Sequence, residues 1–263
     1  FNNLTTLPSV PSNNGPSNIT ANSFTANWSI VSGATHYQLL VASDINFTTL
    51  VLDVTLAGST NSNVTGLSGG STYFFKVRAS NSGWITGYSS VATVLTIPQT
   101  PVANNVATIT ATSFTATWDV SSGASSYRVD VSTSSSFSTY VGSYQNFMVS
   151  GLSTLITGLS PNTQYFYRIR ALNTTGTSFN SNTVSAITYS SPPVALPATN
   201  ISVNGFTANW SAVGGASGYL LEVSLNSSFL PLLYAYNNIS VTGTSKDILA
   251  IPNTTYYYRI RAV

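Results

Sequence analysis

Ser68 lies in Gly66-Leu67-Ser68-Gly69-Gly70, which fits the Gly-x-Ser-x-Gly pattern of a nucleophile elbow. That chemistry needs a strand, a sharp turn, a helix behind the serine and a histidine base. The chain has one histidine, His36. Gly158-Leu159-Ser160-Pro161-Asn162 stands in the same place ahead of a similar aromatic run, so the segment reads as a turn. His36 opens a predicted strand where Ser126 and Gly218 take its position in related segments, and one imidazole without clustered carboxylates makes neither a metal site nor a triad. Asp44, Asp53, Asp119, Asp130, Glu222 and Asp247 are single and scattered, so paired-carboxylate catalysis and a calcium loop have no candidates. With no cysteine, thiolate zinc sites, thiol nucleophiles and disulfides are excluded. The expectation is a chain without catalytic, metal or cofactor-binding residues. Among predicted exposed aromatics, Phe74, Phe166, Tyr257 and Trp84, the last is the one candidate ligand-binding residue. It sits in a loop, has no counterpart tryptophan in the related segment, and could stack on a glycan.

Only 5% of residues are charged against 43% apolar, so the chain can bury cores while Ser, Thr and Asn make its surface soluble. A neutral polar surface of that kind suits an extracellular setting. Eight basic and six acidic residues leave a net charge of +2, too dilute for the focused cationic face that nucleic acid requires. Eleven Asn-x-Ser/Thr triplets occur, including Asn27, Asn209 and Asn253. Composition alone gives roughly seven or eight on the bare pattern, so they do not argue for glycosylation. No apolar run reaches membrane-spanning length, so membrane insertion by this segment is not expected. With Phe at position 1 and no leader, the sequence reads as a mature or excised piece.

The elements that would position these residues repeat three times. Phe24-Thr25-Ala26-Asn27-Trp28, Phe114-Thr115-Ala116-Thr117-Trp118 and Phe206-Thr207-Ala208-Asn209-Trp210 fall 90 and then 92 residues apart. Pro11, Pro101 and Pro193 each stand 17 residues before the tryptophan, Tyr37, Tyr127 and Tyr219 nine after it, and Phe47, Phe137 and Phe229 ten further. A period near 90 is too long for a solenoid unit and right for a self-contained sandwich. In the second copy, period-two alternation predicts strands at Ala107 to Thr110, around Phe114 to Trp118, from Tyr127 to Val131, from Tyr140 to Val149, at Thr154 to Ile156, from Tyr165 and at Thr183 to Thr188. Arg168 and Arg170 should face water opposite Asp130, and Arg259 or Arg261 opposite Glu222, as exposed pairs worth about 0.2 to 1 kcal/mol. In the first copy Lys76 and Arg78 face Gln38 and Leu40 and lack that carboxylate.

The strand tryptophan followed by Leu159-Ser160-Pro161-Asn162-Thr163-Gln164-Tyr165-Phe166-Tyr167-Arg168-Ile169-Arg170-Ala171 resembles the fibronectin type III domain. The likeness covers essentially the whole chain and implies an all-β tandem of seven-stranded immunoglobulin-like sandwiches. The third copy keeps it as Leu249-Ala250-Ile251-Pro252-Asn253-Thr254-Thr255-Tyr256, while Leu67-Ser68-Gly69-Gly70-Ser71-Thr72-Tyr73 lacks the proline. By the same resemblance Tyr73, Tyr165 and Tyr256 are tyrosine-corner residues, whose hydroxyls bond upstream backbone.

Residues 1–7 then read as the last strand of a preceding repeat, 8–97 and 98–190 as full repeats, and 191–263 as a repeat lacking its last strand. Such a chain is a window on a longer array. The phrasing of its repeats is similar to that of large secreted proteins of the Bacteroidota, which implies cell-surface export. Pro-containing joints such as Ile97-Pro98-Gln99-Thr100-Pro101 stiffen the connections. The expected function is a non-enzymatic extracellular spacer or stalk in a larger surface adhesin or filament, with neighbouring repeats of the same chain as partners. Glycan or protein binding, and spacer domains of a secreted enzyme, are the alternatives.

Overall fold

The computed structural model describes residues 8–263, so the strand expected over residues 1–7 lies outside it. The described chain folds as three successive pairs of antiparallel sheets. In the first unit β1 (Asn13–Ser17), β2 (Phe24–Trp28) and β5 (Asn61–Val64) form one sheet. Its partner has the order β4-β3-β6-β7, from β3 (His36–Ala42), β4 (Leu50–Ala57), β6 (Thr72–Ser80) and β7 (Ala92–Leu95). The second unit repeats the plan. Here β8 (Ala107–Ile109), β9 (Ser113–Thr117) and β12 (Ser153–Thr157) face the order β11-β10-β13-β14, made of β10 (Ser126–Ser132), β11 (Phe147–Val149), β13 (Gln164–Leu172) and β14 (Val184–Ile187). In the third, β15 (Ala195–Thr199), β16 (Gly205–Trp210) and β19 (Ser245–Leu249) face β17 (Tyr219–Ser224), β18 (Ile239–Val241) and β20 (Tyr257–Ala262). The architecture is all-β and tandem, as expected.

Alternation builds each core. Phe24, Ala26 and Trp28 of β2 point inward and are buried, while Thr25 and Asn27 between them are only half-buried. Tyr165, Tyr167, Ile169 and Ala171 of β13 face β9 in the same manner. Each repeat tryptophan is 2% exposed and lies against the tyrosine nine residues on, with ring centroids 5.9, 5.6 and 5.7 Å apart. A buried aromatic covers about 150–250 Å², worth about 4–6 kcal/mol at 25 cal/mol per Å² before entropy. The three cores share no residue.

The corner tyrosines hold the turns as the resemblance implied. Ser68 N–H donates to the Tyr73 hydroxyl at 2.9 Å, Ser160 N–H to Tyr165 at 2.8 Å and Ile251 N–H to Tyr256 at 2.9 Å. The first turn reaches this geometry without proline. Gly70 takes φ +64° where Asn162 and Asn253 take +46° and +56°, the left-handed conformation that glycine and asparagine tolerate best.

One strand differs from expectation. The run Tyr140 to Val149 is a strand only at β11, whereas the first unit has the eight-residue β4 in that place. Gly142 and Asn146, at φ +50° and +58°, turn the chain out of the extended region, and Tyr144 N–H bonds Val141 O at 2.9 Å. The turned segment is pinned by Thr157 N–H donating to the Tyr144 hydroxyl at 2.9 Å. Tyr236 accepts from Leu249 N–H in the third unit in the same way.

Candidate functional surfaces

Ser68 and His36 are not brought together. Ser68 sits on the turn before β6, whereas His36 pairs with Ser80 at the far end of that strand. Eight residues at 3.3 Å each put roughly 26 Å between those ends. His36 is exposed, with Nδ1 2.9 Å from the Thr35 hydroxyl. Among the described residues no group of three or more His, Asp or Glu lies close enough to hold a metal ion.

The charged residues instead form a ladder on one sheet of each unit, the pair β3-β6, β10-β13 or β17-β20. Asp130 of β10 pairs in register with Arg168 of β13 and accepts from Arg168 Nε at 3.1 Å, Arg170 at 3.0 Å and Asn146 N–H at 2.8 Å. Glu222 receives Arg259 and Arg261 in the third unit. The sequence placed these pairs correctly but their burial wrongly: Asp130 is 1% exposed and Glu222 4%. The repeat phenylalanines stack on the arginines that hold them. Phe137 lies 4.0 Å from the Arg168 guanidinium and Phe229 4.4 Å from that of Arg259, each measured to the ring centroid. Phe47, Phe137 and Phe229 all adopt φ between +55° and +59°, a conformation that bulky side chains rarely take and that turns the ring back over the sheet.

The first unit solves the missing carboxylate differently. Arg78 Nε donates to Gln38 Oε1 at 2.7 Å, and Gln38 Nε2 passes the link to Asp53 on β4 at 2.7 Å. Lys76 sits over the Phe47 and Tyr88 rings at 3.9 and 4.8 Å. The full-length β4 makes this possible, because only there does a third strand bring an acid beside β3.

Two ionisable groups depart from their ordinary values. The backbone N–H groups of Thr49 and Thr48 lower the pKa of the Asp44 carboxyl, which closes the turn before Phe47. Burial raises that of Tyr167, whose hydroxyl donates to Thr117 O at 3.0 Å and to Asn104 O, tying the two sheets together.

Trp84, the candidate ligand-binding residue, stands in the turn after β6. It is half-buried, packs on the core of the first unit, and its Cζ2 lies 3.8 Å from where a Cβ on Gly33 would stand. Gly33, Gly123 and Gly215 occupy one position of the repeat, the turn ahead of β3, β10 and β17, at φ +76°, +70° and +78°. At Gly123 the neighbour is Gly70 of the preceding unit: a Cβ on Gly70 would lie 2.5 Å from the Gly123 Cα. At Gly215 it is the Asn162 side chain, the residue equivalent to Gly70, with Cγ 2.8 Å from a Cβ there. Asn173 Nδ2 also reaches back to Thr96 O at 2.8 Å, while Ser121 Oγ bonds Gln99 O within the second unit. A groove of about 470 Å³ between the second and third units is lined by Asn162, Ile187, Tyr189, Pro192, Ile260 and Val263. The repeat carried all these residues; that they meet across units was not visible in it.

Residues 99–187 match the family model of the fibronectin type III domain. The chain is 30% identical to Chitinase A1 of Niallia circulans over 228 residues, covering 80% of this chain and 29% of that protein. It is 28% identical to Receptor-type tyrosine-protein phosphatase eta of Gallus gallus over 211 residues, 77% of this chain and 14% of that one. It thus spans less than a third of either relative. Among solved structures, the FN1–FN3 domains of chicken CNTN1 align over 98% of this chain and 94% of their own, at 16% identity and a TM-score of 0.35. A two fibronectin type III domain segment of chicken tenascin aligns over 69% of this chain and 99% of its own, at 19% identity and a TM-score of 0.40.

Proposed function

We propose that this tandem of fibronectin type III sandwiches is a non-enzymatic extracellular spacer, a stalk segment that sets distance and orientation within a larger cell-surface adhesin or filament protein. The observation that carries the reading is the repeated joint. At both junctions a left-handed turn residue of one unit packs on a left-handed glycine of the next, so the connection is a packed contact and not a loose tether. Spacing alone needs no catalytic group, and Asp130 and Glu222 are held by arginines of their own units. The likeness to a receptor-type phosphatase supports an extracellular setting, as does the resemblance to secreted repeats of the Bacteroidota. The partners are then neighbouring repeats, with nucleic acid and membrane insertion outside the proposal.

Small-angle scattering tests it. Strands of about eight residues make each unit roughly 30 Å long, so three in line give a maximum dimension near 100 Å. A dimension near 60 Å, or scattering that needs a broad distribution of shapes, refutes the spacer reading. A second reading, a spacer within a secreted enzyme, is favoured by the 30% identity to a chitinase. A catalytic domain in the complete polypeptide would establish it.

A further inference from the structure

Trp84 belongs to the receiving side of a joint. It occupies the position of Gly176, as the matching turns show: Asn81 N–H bonds Trp84 O at 3.0 Å, and Asn173 N–H bonds Gly176 O at 3.0 Å. The asparagine side chain accepts from the backbone inside both turns. In the second unit this turn is the contact made with the preceding unit. A Cβ on Gly176 would stand 3.1 Å from Ile97, Asn173 holds Thr96 O, and Gly123 receives Gly70. In the first unit the same three positions are Trp84, Asn81 and Gly33. Asn81 Nδ2 bonds Gly33 O at 2.9 Å.

We propose that Gly33, Asn81 and Trp84 form a docking surface for a fibronectin type III sandwich placed immediately ahead of the first unit in the polypeptide. The occupant is the tip turn of that sandwich, the Gly69-Gly70 or Pro161-Asn162 type, together with the residue that leaves its last strand. The Trp84 ring takes the aliphatic contact for which the second unit leaves room with a glycine. This rests on the reading of the chain as a spacer array and identifies the surface through which that array extends. It also gives Trp84 a protein partner in place of a sugar.

The test is to put a copy of residues 98–189 in place of residues 1–7, directly ahead of Pro8, with residues 8–263 kept. The spacing Thr188-Tyr189-Pro8 then matches Thr96-Ile97-Pro98. Trp28, Trp118 and Trp210 are each 2% exposed, so acrylamide quenching of tryptophan fluorescence reports mainly on Trp84. Docking covers the ring, so its quenching constant should fall roughly twofold or more and its emission shift to the blue. Gly33→Val should restore quenching, and Asn162→Lys in the added copy should do so while leaving the first unit untouched. Unchanged quenching in the four-unit protein overturns the docking surface. If the maximum dimension nevertheless grows by one unit, the spacer reading survives that failure; if neither changes, both fall. Quenching relieved by a glycan in the three-unit chain but not by the added unit overturns the proposal in favour of a sugar site.

Discussion

Replacing Asp130 by alanine removes the carboxylate that three donors share. The carboxylate is 1% exposed, while the Arg168 and Arg170 side chains are 21% and 23% exposed. Breaking a buried pair costs about 3–5 kcal/mol because the surviving charge is stranded, and an exposed pair is worth about 0.2–1 kcal/mol. Here the surviving guanidiniums can turn toward water, Arg168 losing its packing against Phe137, and Asn146 N–H loses its acceptor. The expected cost therefore lies between the two, about 2–3 kcal/mol. At about 4–8 °C per kcal/mol for a domain of this size, the second unit should melt about 10–20 °C lower. Scanning calorimetry would follow the three units together, with Trp118 fluorescence in denaturant assigning the transition that moves. The matched variant in the first unit, Gln38→Ala, removes a neutral link and should cost only about 1 kcal/mol. A loss below about 1 kcal/mol for Asp130→Ala would refute the reasoning, since the ladder would then behave as an ordinary surface pair.

Gly123→Val places a branched side chain on a left-handed residue and into Gly70, so the joint between the first and second units should open while both stay folded; an unchanged scattering profile would count against the packed joint. Tyr165→Phe strands the Ser160 N–H and should destabilise the second unit by about 1–2 kcal/mol in denaturant titration; a neutral result would contradict the corner assignment. Asp44 has a lowered folded-state pKa, so its contribution is fully present above its ordinary value of 3.8 and is lost as pH falls through the folded value. Amide exchange at Asn46, Thr48 and Thr49 should quicken in that acid window, and exchange there that ignores the carboxyl would show that Asp44 does not close the turn.

Period-two alternation around Trp118 and Tyr165 made the core legible, because burial in a sandwich follows the pleat and the pleat is written in sequence. The corner tyrosines came from the resemblance to the fibronectin type III domain, and their hydroxyls do take N–H groups five residues upstream. What escaped was set by contacts distant in the chain. The repeat phenylalanines were visible as markers, but their place over Lys76, Arg168 and Arg259 depends on a backbone turn that bulky residues seldom make. Arg78 looked partnerless because its acid, Asp53, stands on a third strand and acts through Gln38. The run from Tyr140 was read as extended because aromatic and β-branched composition outweighed Gly142 and Asn146, whose positive φ decides the path. That Trp84 neighbours Gly33, some fifty residues earlier, is likewise a contact that nothing local in the sequence declares.

Of the eight basic side chains, Lys76, Arg78, Arg168, Arg170, Arg259 and Arg261 are committed to carboxylates, amides or aromatic rings on their own sheets. Arg259 and Arg261 still keep 54% and 61% of their side chains exposed, and Lys246 is exposed as well. Few and mostly paired within a unit, these charges leave salt little to screen, so each unit should melt nearly alike in brine and in fresh water.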